Sequence, residues 1–168
     1  MRRLLDSLYS ASAWLAGISM VGVLVMVLAT VISRQFGFSA PGTDAYAGYA
    51  MAGAGFMALA STLKHGEHIR VTLVLGMLKG KALKAMEVTA LAIATLLSGF
   101  LAFYSTRMVW QSWEIEDISV GIDATPLWIP QLLMGLGTLV FFIAFCDELV
   151  LELMGQRKPR VTEGTPHE

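Results

Sequence analysis

Charge is what this sequence has least of, and its scarcity is organised. Only 15% of the 168 residues are Asp, Glu, Lys or Arg, where a soluble domain carries roughly 25%. Four windows contain none of them and no histidine: Ser7–Ser33, Ala45–Leu63, Val88–Thr106 and Ala124–Cys146. Each has about the 18–20 apolar residues that a helix needs to cross roughly 30 Å of hydrocarbon. Cysteine is nearly absent as well. Cys146 stands alone, which excludes an internal disulfide and reads as a small apolar side chain in a packed span. The net charge of −1 gives no basic surface for nucleic acid or another polyanion.

Missing residue types also exclude whole classes of chemistry. None of the three histidines lies in a charge-free window, so a haem held between helices has no ligands. Serines in the windows lack a histidine or acid at matching depth, so covalent catalysis has no activating base. An independent ion-coupled carrier needs an ionisable group near the bilayer midplane, and no window supplies one. The segment "LKHGEHIRVTLVL" at 63–75 sets His65, Glu67 and His68 close together. Zinc requires three or four protein ligands in a tetrahedral set; the remaining histidine is His167 in the tail, so no metal is expected here. No cofactor is expected either.

What is present is a membrane pattern. We expect an all-α protein with four transmembrane helices over roughly 9–33, 44–63, 86–108 and 126–149, forming one domain from 1 to 155. The first window is longer than the apolar core of a cleavable signal, and is expected to remain as a helix. Ten of the twelve Lys and Arg residues lie at the chain ends or between the second and third windows; only Arg34 and Arg107 lie elsewhere. The positive-inside rule then puts both termini in the cytoplasm. Asp44, Glu114, Glu116, Asp117 and Asp123 face the other side. Trp110, Trp113 and Trp128 mark the outer interface, and Pro126 and Pro130 stand at the start of the fourth span, where proline is tolerated. Residues 156–168 are expected to form a disordered cytoplasmic tail.

Between spans two and three, Val71, Val74, Leu75, Leu78 and Ala82 recur at helical spacing while Arg70, Lys79, Lys81 and Lys84 supply a polar side. This predicts an amphipathic interfacial arm over roughly 68–84, lying along the inner headgroup layer among membrane lipids. Arg34 and Arg107 at the outer boundary read as side chains reaching for the interface or as partners of an outer acid or another subunit. In span two, Ala45, Gly48, Ala52 and Gly55 form a stripe that permits close helix contact, either within the chain or with a partner. An interaction subunit fits these features better than an enzyme.

Several motifs resemble those of the small membrane subunit, DctQ type, of tripartite ATP-independent periplasmic (TRAP) transporters. They are "SRQFGF" at Ser33–Phe38 with Pro41 and Asp44, "GEHIRV" at Gly66–Val71, and "PLWIP" at Pro126–Pro130 with Gly137. The resemblance implies a noncatalytic scaffold in the bacterial inner membrane. Its partners are a large membrane subunit, which carries an organic acid or similar solute on a sodium gradient, and a periplasmic solute-binding protein. His68, Ile69 and Arg70 would anchor the arm against the headgroups and the large subunit. Glu114, Glu116, Asp117 and Asp123 would help dock the binding protein, affecting encounter rate through complementary charge. The alternative is a stand-alone four-span adaptor with no transport partner.

Overall fold

In the computed structural model, residues 2–65 and 81–155 are described. They form four helices: α1 over Arg2–Phe36, α2 over Thr43–His65, α3 over Lys81–Glu114 and α4 over Trp128–Leu153. The sequence dictates where they stop. Gly37 takes a left-handed φ of +70°, and the Phe38 N–H donates back to the Ser33 carbonyl at 3.1 Å, a glycine-terminated end that satisfies an otherwise orphaned carbonyl of α1. Thr43 opens α2, with Asp44 in its first turn, where a carboxylate faces the positive end of the helix dipole.

α1, α3 and α4 are each long and apolar enough to cross a membrane. At 35 and 34 residues, α1 and α3 run about 50 Å at 1.5 Å per residue. That exceeds the roughly 30 Å hydrocarbon core, so each must tilt or project beyond it. α2, with 23 residues, is long enough to cross but is not among the helices that qualify on hydropathy. Its "AYAGYAMAGAGFMALAS" run spends many positions on Gly and Ala, whose small side chains contribute little apolar surface. Lys81 begins α3, so residues 81–84, expected at the end of the arm, continue straight into the third long helix.

The helices pack in an open row in the order α1, α2, α4, α3, with only slight contact between α1 and α4. They do not close into a bundle around a shared axis. α2 and α4 run parallel in the middle: the start of α2 meets the loop before α4, and the end of α2 meets the end of α4. The start of α1 also lies at that latter end, where Tyr9 stacks beneath Lys64. A row has two broad faces and little interior. Few side chains are fully buried, Met57 and Thr138 being the largest, and apolar residues such as Leu24, Val31, Leu97 and Phe103 remain exposed. A hydrocarbon solvent makes that exposure inexpensive, because lipid tails are as apolar as the side chains facing them.

Candidate interaction surfaces

The central seam between α2 and its neighbours depends on missing side chains. A Cβ added at Gly137 of α4 would lie 2.6 Å from the Phe56 backbone of α2, so these two backbones touch where only hydrogen fits. Gly53 is similar: an added Cβ would lie 2.8 Å from Leu133 Cδ1 and 3.2 Å from Ser19 Oγ, which wedges α2 between α4 and α1. Nearby, the buried Ser12 hydroxyl of α1 donates to the Met57 carbonyl of α2 at 2.5 Å. Thr138, fully buried, donates to the Gly135 carbonyl within its own helix at 2.9 Å.

The stripe Ala45, Gly48, Ala52 and Gly55 lies elsewhere. Gly48, Ala52 and Gly55 are exposed and Ala45 is half-buried; a Cβ built at Gly48 or Gly55 would meet nothing within 4 Å. The close approaches of α2 to α1 and α4 therefore use Gly53 and Gly137, and no described residue covers Gly48 or Gly55.

At one end of the row, residues 115–127 fold into a small hairpin rather than a loose acidic loop. Ile118 and Pro126 pair as an antiparallel bridge. The Ser119 N–H donates to the Thr125 carbonyl at 2.9 Å, and the Leu127 N–H to the Asp117 carbonyl at 2.9 Å. Glu116 and Ala124 adopt positive φ values of 51° and 45°, which lets the chain reverse twice at some conformational cost. Asp123 ties the hairpin to α2. The Tyr49 hydroxyl lies 3.0 Å from its Oδ2 and 3.0 Å from Ser119 Oγ, and Ser119 Oγ lies 3.0 Å from Asp123 Oδ1. Thr125 Oγ1 donates to the Tyr46 hydroxyl at 3.1 Å. Desolvation opposes the charge of Asp123, but hydrogen bonds from Thr125, Ser119 and Tyr49 outweigh it and hold the carboxyl below its ordinary range.

The outer residues expected to dock a binding protein thus differ in circumstance. Asp123 is turned onto Tyr49 and Ser119, while Glu114 and Glu116 are exposed and Asp117 is half-buried. Arg34 and Asp44 approach to 3.6 Å with both side chains mostly exposed, a pair that contributes little to stability in water. Thr30 of α1 strengthens the same corner, bonding Thr43 Oγ1 at 2.8 Å and Asp44 Oδ1 at 3.2 Å. Arg107 is exposed on α3.

The opposite end carries a cluster not anticipated from the sequence. Lys64 of α2 pairs with Asp147 of α4 and lies 3.7 Å from Glu148 Oε1. Its ammonium sits 5.0 Å from the Tyr9 ring centroid of α1, so one cation joins three helices. Glu148 and Glu152 are both buried, one turn apart on α4. The available signal was a single lysine at the end of span two and a group of acids at the end of span four, at equal depth once the helices run parallel. His68, Ile69, Arg70 and Lys79 lie outside the described residues. Lys81 opens α3, and Lys84 is exposed one turn later.

Taken together, the described surfaces consist of packing seams, two polar ends and a small-residue face on α2. No curated protein matches the chain. The family described as tripartite ATP-independent periplasmic transporters, DctQ component, matches residues 23–155. That match takes in the last 14 residues of α1, all of α2, α3 and α4, and the hairpin at 115–127. The chain is a member of the DctQ family of TRAP transporter components.

Proposed function

We propose that the chain is the noncatalytic small membrane subunit of a TRAP-type secondary transporter. It braces the large permease subunit during sodium-coupled uptake of an organic acid or similar solute delivered by a periplasmic binding protein. All four helices cross the bacterial inner membrane, α2 included, and both termini are cytoplasmic. The charge distribution supports this orientation, since ten of the twelve Lys and Arg residues lie at the chain ends or between the second and third charge-free windows.

The observation that carries the reading is the open row with its charges at the two ends and the Gly48–Gly55 face of α2 uncovered. A row presents a broad flat side to a neighbour, and small residues let a partner helix approach to backbone contact. Such a slab widens a static scaffold without itself moving charge. The interfacial arm around His68, Ile69 and Arg70 fixes the inner edge against headgroups and the permease. Exposed Glu114 and Glu116 supply an acidic outer rim for encounter with the binding protein.

Co-purification in mild detergent tests the reading. The wild-type chain should retain the permease. A Gly48→Leu, Gly55→Leu variant should lose it while melting like wild type on its own, since neither position has a neighbour within 4 Å. Undiminished retention by that variant would contradict the assigned face.

A further inference from the structure

A groove of about 480 Å³ runs between α1 and α2 at the end of the row that holds Tyr9 and Lys64. That volume lies within the roughly 300–1,000 Å³ of small-ligand sites. Asp6, Tyr9, Ser10 and Trp14 of α1 face Ser61 and Lys64 of α2 across it, with Ala13 between. The chemistry changes with depth. The two charged residues stand at the rim, at the boundary of the charge-free windows. One turn in come the hydroxyls of Tyr9, Ser10 and Ser61. A further turn in come Ala13 and Trp14, about 12 Å along α1 from Asp6 at 1.5 Å per residue.

A phospholipid has the same order along its length: charged headgroup, ester and glycerol oxygens, hydrocarbon. The charges in the groove select among headgroups. Lys64 is already opposed by Asp147 and Glu148, whereas Asp6 makes no ion pair among the described side chains. Among the described side chains the rim is therefore acidic in balance, which disfavours a purely anionic lipid and favours an ammonium group. Trp14, 75% exposed, gives the deep end of the groove a broad apolar face for an acyl chain to lie against. Tyr9, only 5% exposed, forms part of the lining, and its hydroxyl is buried with no hydrogen-bond partner among the described residues. A buried polar group in that condition calls for a partner the chain does not supply.

We infer that this groove is a binding site for a zwitterionic, amine-bearing phospholipid. Its ammonium lies at Asp6, its phosphate and glycerol oxygens face the hydroxyls of Tyr9 and Ser10, and an acyl chain leaves along Ala13 and Trp14. Such a lipid fills the seam between the outermost helix α1 and the central helix α2, stabilising the row by mass action in membranes rich in it.

The test is native mass spectrometry of the chain purified with its permease from nanodiscs of equal phosphatidylethanolamine and phosphatidylglycerol. Wild type should retain one more ethanolamine lipid per small subunit than a Ser10→Trp variant, in which an exposed position is filled without disturbing the packing. Asp6→Asn should erode the preference for ethanolamine over glycerol headgroup severalfold while leaving the complex assembled. Equal retention of both lipids by wild type would overturn the inference, as would an unchanged preference in Asp6→Asn. Displacement by soluble glycerophosphoethanolamine at low millimolar concentration would show a site for the free headgroup instead and overturn the lipid assignment. Bound lipid on the isolated chain but none on the complex would mean that the permease fills the groove, and would overturn it too.

Discussion

The Tyr49 hydroxyl of α2 meets the Asp123 carboxylate of the hairpin between α3 and α4 at 3.0 Å, across 74 positions of sequence. With the Tyr49–Ser119 and Thr125–Tyr46 bonds beside it, this contact fastens the middle of the row to the hairpin cap. Replacing Tyr49 with Phe removes the donor and keeps the ring. Amide exchange of residues 117–127 should then accelerate roughly three- to tenfold, the effect of losing one ordinary hydrogen bond, with little change in the helices.

The same cap has a pH dependence of known sign. The Asp123 carboxyl is depressed in the folded protein by its hydroxyl donors. Its contribution is thus present above the unfolded value of about 3.9 and is lost as pH falls through the lower folded value. A carboxyl NMR titration should give Asp123 a midpoint below that reference, and Tyr49→Phe should move it upward. A midpoint above the reference would contradict the arrangement.

Gly137 should tolerate no side chain. With the Phe56 backbone 2.6 Å from an added Cβ, Gly137→Ala must push α2 and α4 apart, at about 1–3 kcal/mol. Gly55→Ala, with nothing within 4 Å, should stay within about 0.5 kcal/mol of wild type. Thermal unfolding of both variants in one detergent separates the internal seam from the uncovered face.

Lys64→Met should destabilise the Tyr9–Lys64–Asp147 end of the row by about 2 kcal/mol. Loss of a fully buried partner costs about 3–5 kcal/mol, but the side chains of Lys64 and Asp147 are 21% and 19% exposed, so water absorbs part of the penalty. Adding Asp147→Asn should recover part of the loss. A denaturation series on the single and double variants measures the coupling, and strict additivity would argue against the pair.

These positions show what the sequence could and could not reveal. Charge-free windows located α1, α3 and α4 because spanning hydrocarbon forbids ionisable side chains over a fixed length. α2 was visible by the same test, but its Gly and Ala content lowers its apolarity below that of the other three. Family membership was legible in short motifs at Ser33–Phe38, Gly66–Val71 and Pro126–Pro130. The open row was not legible, because every helix has apolar residues on all sides and periodicity cannot choose neighbours. Small residues in α2 identified a helix built for close contact, yet only the placement of Gly53 against Leu133 separates the internal seam from the Gly48–Gly55 face. The role of Asp123 was hidden for another reason. An acid among four acids reads as a solvated surface until backbone reversals at Glu116 and Ala124 turn it onto Tyr49.

A row of helices without an ionisable group at mid-depth should support transport without performing it. Proteoliposomes holding this chain alone, given an inward sodium gradient and candidate organic acids, separate the two roles. No accumulation above empty liposomes is expected, and uptake should appear once the permease and binding protein are added. Gradient-driven accumulation by the chain alone would contradict that expectation.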